Sequence, residues 1–226
     1  LLVVANKTDN FERIADASLR AGRDSSMVRL MLATKTQDVA TLRRTVALGE
    51  TLFGENRVQE LVPKTDALAD LPITWQFIGH LQSNKVRDVI GRVSNIQSID
   101  RTSIIEAVDA ECLKRNTTVD VMIEVNTSGE ASKHGTPFSE VQRVIDEVLM
   151  RPTMRITGFM TIGALSEDEV VVRRCFRQLR ILRDSFDAQH GTTSQLSMGM
   201  SEDLEWAIAE GSTMVRVGTA AFGDRQ

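Results

Sequence analysis

Val28-Arg29-Leu30-Met31-Leu32-Ala33-Thr34-Lys35 is an apolar run that ends on a lysine, and its reading decides the fold. Side chains alternate along a strand, so Val28, Leu30 and Leu32 share one face while Met31, Ala33 and Lys35 share the other. Both faces are largely apolar, as in a parallel strand covered on both sides. Similar short runs recur at residues 51–56, 74–79, 93–100, 119–126, 156–163, 195–200 and 214–222. Helical periodicity fills the intervals, at 38–48, 58–68, 83–90, 102–114, 138–150, 167–188 and 202–209. A parallel neighbour is reached only through a crossover, so strands alternating with helices build a parallel sheet. One more helix precedes them over the first 22 residues, with Phe11, Ile14, Ala15 and Leu19 at helical spacing and Gly22 as its stop. Eight strands and a leading helix predict an α/β protein made of a single closed (β/α)8 TIM barrel, one domain over residues 1–226.

Composition agrees. A chain of 226 residues suits one barrel domain and should bury roughly 70% of its unfolded surface. Hydrophobic residues at 42% and charged residues at 26% are ordinary for a soluble globular protein. A net charge of −4 argues against nucleic-acid and anionic-membrane surfaces, which favour concentrated positive charge. No apolar run is long enough to cross a bilayer, and no signal peptide is visible. Cys112 and Cys175 lie on separate predicted helices without metal-type spacing. Free thiols in a reducing, cytoplasmic setting are therefore expected.

The first strand places Lys35 at its carboxyl end on the interior face, at the barrel mouth where barrel enzymes keep their sites. Burying its charge there is costly, and a lysine amine relieved of its proton condenses with aldehydes. The plainer alternative is a strand-end lysine whose ammonium reaches solvent. Two glycine turns bear on the choice. Leu196-Ser197-Met198-Gly199-Met200-Ser201 leads into Glu202-Asp203-Leu204, with Ser201 as the expected N-cap of an acidic helix start. Arg216-Val217-Gly218-Thr219-Ala220 ends the eighth strand. Loops after strands seven and eight form the usual phosphate site of such barrels. Glycine admits an anion close to the backbone while hydroxyls and free N–H groups donate to it. Each turn alone reads equally as a simple tight turn.

Arg216 faces the interior and keeps its proton, so it needs an acceptor. A pyridine nitrogen is one acceptor; a carboxylate such as Glu124 on the fifth strand is the other. Asn56 ends the second strand, where it could touch a ring or its 3'-oxygen. Met160, in the sixth strand, reads as core or as a cofactor neighbour. His80 follows the third strand, His134 and His190 read as loop residues, and the three are too scattered to suggest a metal.

Several segments carry a resemblance. They are Ala33-Thr34-Lys35-Thr36, Phe53-Gly54-Glu55-Asn56-Arg57-Val58-Gln59-Glu60 and Trp75-Gln76-Phe77-Ile78-Gly79-His80-Leu81-Gln82-Ser83-Asn84-Lys85. Further on come Glu124-Val125-Asn126-Thr127-Ser128-Gly129-Glu130 with Lys133-His134-Gly135, then Gly158-Phe159-Met160-Thr161-Ile162 and the two glycine turns. With these the sequence resembles the pyridoxal phosphate homeostasis proteins, single-domain relatives of the alanine racemase N-terminal barrel. The family commonly has Val-Ser before its Lys-Thr, so Ala33-Thr34 is a mild departure.

The resemblance implies the type III pyridoxal 5'-phosphate (PLP) fold without its C-terminal β-domain. PLP would be a Schiff base on Lys35, with Arg216 at the pyridine nitrogen, leaving that nitrogen unprotonated and the ring a weaker electron sink. Ser201, Gly218 and Thr219 would cradle the phosphate, and Asn56, Met160 and Ser197 would neighbour the ring or phosphate. The implied activity is buffering and delivering PLP within vitamin B6 homeostasis, with apo PLP-dependent enzymes as recipients, no nucleic acid or membrane partner, and a monomeric state. Racemases of this barrel class resemble two-base enzymes that pair the lysine with a tyrosine; this chain contains no tyrosine. Two alternatives stand beside the carrier. One is a racemase-type PLP enzyme with His80 or Cys112 as second base, and the other a barrel for some other phosphorylated metabolite with Lys35 as a charge clamp.

Overall fold

The computed structural model describes residues 2–222, with the side chains of 9–218 and 221–222. Its strands are β1 (Arg29–Ala33), β2 (Leu52–Glu55), β3 (Thr74–Phe77), β4 (Asn95–Ile99), β5 (Val119–Asn126), β6 (Thr136–Pro137), β7 (Met154–Met160), β8 (Gln195–Ser197) and β9 (Met214–Val217). Hydrogen-bonded neighbours run β4-β3-β2-β1-β9-β8-β7-β5, and a β4–β5 pairing closes the ring. Every pairing is parallel. The two-residue β6 pairs with the end of β5 outside that ring. The eight-stranded barrel expected from the sequence is the fold.

Around it lie α1 (Leu2–Arg20), α2 (Val39–Ala47), α3 (Val58–Ala67), α4 (Val86–Val89), α5 (Thr102–Arg115), α6 (Val141–Leu149), α7 (Glu169–His190), α8 (Leu204–Ala209) and α9 (Thr219–Phe222). Local chemistry accounts for several of their starts. Asp38 caps α2 by accepting the Thr41 N–H at 2.7 Å, and Asp168 caps α7 through the Val170 N–H at 2.8 Å. Each satisfies an N–H that the first turn leaves without an intrahelical partner.

Strand phase divides the core in two. Leu30, Leu32, Phe53, Phe77, Val121, Phe159, Val215 and Val217 belong to the layer between strands and helices. Met31, Leu52, Met122, Met160 and Met214 form a separate cluster in the barrel interior. Arg216 faces the same interior and pairs in register with Met31, so the assignment of faces in the first and last strands holds. Cys112 and Cys175 are free and buried.

Three expectations are corrected. The first strand stops at Ala33, because Thr36 adopts φ 66°, a left-handed conformation incompatible with a strand. The last strand stops at Val217 and gives way to α9. Ala220, Ala221 and Phe222 continue the apolar run, and periodicity alone cannot separate a buried strand end from a buried helical turn. The leading helix exists, but its inward face is Asn10, Ile14, Ala17 and Ser18, while Leu19 is 78% exposed and Phe11 and Ala15 also face outward. Two buried polar residues in that stripe hid it from a search for apolar spacing.

Candidate functional site

β1, β2 and β9 end side by side at the barrel mouth, since Ala33 pairs with Gly54 and Leu32 with Val217. Lys35 follows β1 there. It is exposed, the plainer of the two readings, since the chain has already left the strand at Ala33. A Cβ built on Gly218 would lie 4.0 Å from Lys35 Cε and 3.4 Å from the Ala33 carbonyl oxygen. Glycine at 218 therefore leaves an open shelf beneath the lysine stem.

Arg216 is the buried cation of the site, 5% exposed. Its Nη1 donates to Ser197 Oγ at 2.8 Å and its Nη2 to the Thr161 carbonyl at 2.9 Å. Both acceptors are neutral, and no ion pair with Glu124 forms among the described residues. Burial pushes the guanidinium down to about 10 against the pull of Asp203 and Glu124, so it stays charged at neutral pH. Ser197 is fully buried; its hydroxyl accepts from Arg216 and donates to Gln97 Oε1 at 2.6 Å, while Gln97 Nε2 donates to Gln76 Oε1 at 2.6 Å. Ser197 thus holds Arg216 in orientation from below. Met160, at the end of β7, is buried in the methionine cluster and pairs in register with Ser197 and Glu124.

Asn56 follows β2. Its N–H donates to its neighbour Glu55 Oε1 at 2.9 Å, and its side-chain Oδ1 is buried without a partner. A buried acceptor left unpaired is costly, so this oxygen marks a place for a donor. Gly79 packs on the same residue: a Cβ there would come within 2.0 Å of the Asn56 carbonyl oxygen. Gly79→Ala must displace backbone on one of two strand ends, an overpacking cost of about 3 kcal/mol. A fall in Tm of roughly 6–12 °C is expected in thermal melts, and an unchanged Tm would contradict the packing described.

The Leu196–Ser201 turn differs from expectation in detail. α8 begins at Leu204, with Asp203 rather than Ser201 at its N-cap position, and Asp203 Oδ1 accepts the Met200 N–H at 2.6 Å. Ser201 lies one turn earlier, where its carbonyl accepts from Arg13 Nη2 at 2.8 Å. Arg13 also forks onto Glu205 at 2.8 and 3.0 Å, so α1 latches this turn. Gly199, at φ 94°, makes the reversal that non-glycine residues rarely adopt. The side chain of Thr219 lies outside the described residues.

Glu124 has a role of its own in pH dependence. Burial, reinforced by Asp100, raises its carboxyl from 4.5 to about 7, although Arg216 and Arg101 pull the other way. The folded protein therefore holds a proton there that the unfolded chain releases. This contribution is fully present below about 4.5 and is lost as pH rises through about 7, on the order of 3 kcal/mol. Glu124→Gln is expected to flatten that decline, so the variant melts higher than wild type at pH 8 but not at pH 4.5. Parallel Tm profiles for the two proteins would refute it.

The structure also joins residues the sequence left apart. His80 and His134 stack, with ring centroids 4.1 Å apart and 20° between planes. His190 closes α7 rather than lying in a loop. Among the described residues no group of three or more His, Cys, Asp or Glu is arranged for a metal, and no helix is long and apolar enough to cross a membrane.

A lysine over a glycine shelf, at the end of a closed parallel barrel with an arginine set in its last strand, defines a barrel of the alanine racemase N-terminal class. That family's model, described as the alanine racemase N-terminal domain, matches residues 8–226. A pyridoxal phosphate homeostasis protein of Aquifex aeolicus is 41% identical over 216 residues, covering 95% of both chains. The structure of PipY of Synechococcus elongatus with PLP bound superposes with a TM-score of 0.81 at 32% identity, covering 94% of this chain and 99% of that one. An alanine racemase of Clostridium difficile shares the fold at a TM-score of 0.73 and 12% identity; 96% of this chain matches 57% of that one. The chain belongs to the pyridoxal phosphate homeostasis protein family.

Proposed function

We propose that the protein binds PLP at the barrel mouth, covalently through Lys35, and serves intracellular PLP homeostasis by holding and releasing the cofactor. The observation that carries the reading is the convergence at one mouth of Lys35 Cε above Gly218, the unpartnered Asn56 Oδ1 and the buried Arg216. PLP offers each a partner: an aldehyde for the amine, a 3'-oxygen that accepts from the Asn56 amide when its terminal group turns to present Nδ2, and a pyridine nitrogen that accepts a guanidinium N–H beside those given to Ser197 and Thr161. Joining the Lys35 amine to the aldehyde carbon expels one water. Gly218, the backbone of Thr219 and the Ser201 turn would hold the phosphate. Ser197 acts through Arg216, and Met160 packs below the ring.

When bound, PLP supplies a reactive carbonyl and an electron-withdrawing ring. An arginine donor at the nitrogen keeps that ring neutral and weakens it as an electron sink, which suits storage better than turnover. Recipients would be apo PLP-dependent enzymes in the cytoplasm, met by a monomer. The decisive experiment is an absorption spectrum of purified protein before and after borohydride, with peptide mapping and a racemase assay. A band lost on reduction, pyridoxyl mass on Lys35 and no racemisation would support the reading. Colourless protein that PLP cannot reconstitute would replace it with a barrel for another phosphorylated metabolite.

A further inference from the structure

The 53–60 segment supplies Asn56 to the proposed site, and its two glutamates are committed to protein partners. Glu55 ends β2 with its side chain fully buried, and Glu60 lies in the first turn of α3. Both converge on Lys64, a lysine of α3 whose side chain is only 8% exposed. Lys64 Nζ donates to Glu55 Oε2 at 2.7 Å, to Glu60 Oε2 at 2.8 Å and to the Thr34 carbonyl at 2.8 Å. Glu60 Oε2 also accepts the Thr36 N–H at 2.8 Å. Glu55 accepts the Thr34 hydroxyl at 2.9 Å on one oxygen and the Asn56 N–H at 2.9 Å on the other.

The Thr34 carbonyl belongs to the peptide that precedes the Lys35 Cα, and the Thr36 N–H to the peptide that follows it. One ammonium–carboxylate pair therefore holds both peptide planes of Lys35. The next residue is where restraint is needed, because Thr36 is β-branched and sits at φ 66°. Such a conformation persists only where its surroundings over-determine it. Burial raises the Glu60 carboxyl, but the Lys64 and Thr36 hydrogen bonds outweigh it and keep the group ionised. Ionised, it is the stronger acceptor for the Thr36 N–H.

We infer that Lys64 and Glu60 are the positioning residues of Lys35. They fix its backbone so that its stem lies over Gly218, and through Glu55 they tie that placement to Asn56. The inference rests on the reading of Lys35 as the PLP lysine. Lys64→Met is a poor test, since it strands Glu55 as a buried unpaired charge. Glu60 is 24% exposed, so Glu60→Ala leaves Thr36 free to turn to water, while Glu60→Gln keeps a neutral acceptor.

Two measurements test it. Amide hydrogen exchange on the ligand-free protein should show Thr36 opening about tenfold faster or more in Glu60→Ala, the loss of a hydrogen bond to a charged group, with β5 amides unchanged. Borohydride trapping should show PLP capture on Lys35 slowed by about tenfold in Glu60→Ala and largely restored in Glu60→Gln. Wild-type exchange at Thr36 in Glu60→Ala would overturn the inference. So would faster exchange with undiminished capture, since the clamp would then staple α3 without aiming Lys35. If wild-type protein captures no PLP on Lys35, the PLP reading falls, and the exchange measurement alone still decides whether Glu60 holds this residue.

Discussion

Lys35→Ala is expected to abolish the borohydride-stable pyridoxyl adduct completely while leaving the fold intact. The loss should be total because Lys35 is the lysine whose Cε lies against Gly218, and imine formation requires an amine there. The fold should survive because Lys35 is exposed and follows the strand rather than forming part of it. Substitutions of that kind change stability by about 0.5 kcal/mol or less, which for a chain of this length is a shift in Tm of about 2 °C. Reduction, digestion and mass mapping of wild type and variant side by side provide the check. Lys35→Arg sharpens the result, since it keeps a cation over the shelf but cannot condense. A Lys35→Arg protein that retains all ligand binding would mean that Lys35 serves as a charge clamp. An undiminished adduct in Lys35→Ala would move the covalent site elsewhere.

Arg216→Met is expected to weaken PLP binding by about 10- to 100-fold, the worth of one hydrogen bond from a charged donor, and to shift the spectrum of whatever cofactor remains. The apo protein should stay folded. Methionine joins an interior already lined by Met31, Met122, Met160 and Met214, and exchanging a buried charge for a packed apolar chain of similar length is often neutral. Ser197 keeps its bond to Gln97. Arg216→Glu is less informative, because it would set a third carboxylate near Glu124 and Asp203, two acids that already act on Arg216 and that burial pushes upward. Equilibrium titration with PLP, combined with thermal melts of the apo protein, measures both halves. Unchanged affinity would remove Arg216 from the ligand site; collapse of the apo fold would make its role structural.

Several features of the site were visible in the chain because they depend on near neighbours. The Lys35 position follows from an alternating apolar run, and the glycine shelf from a glycine at the end of another. The interior placement of Arg216 follows from phase within β9, since each residue along a strand reverses face. Other features escaped. The resemblance implies Ser197 as a ligand neighbour, but nothing local in the chain shows that its buried hydroxyl links Arg216 to Gln97. Its partner Gln97 is 100 residues away, and Arg216 reaches Thr161 across 55. Lys64 carried no signal at all: a lysine on an amphipathic helix reads as surface until its partners on β1 and β2 are known. The Glu55 and Glu60 residues were seen as motif but not as a clamp for the same reason.

Sequence by itself determined the alternation of strand and helix and the closed barrel, pointed by its motifs to the family, and singled out Lys35, Asn56, Gly218 and Arg216 as candidates. The barrel rests on local periodicity and turn chemistry, and the family and candidates on short motifs, all of which are read over a few neighbouring positions. Only the tertiary structure decided where β1 and β9 stop, which face of α1 docks, that His80 and His134 stack, and that the Lys64–Glu60 pair holds both peptides of Lys35. Each is a choice among hydrogen-bond and packing partners brought together by barrel closure. A buried polar group accepts whichever partner the fold delivers.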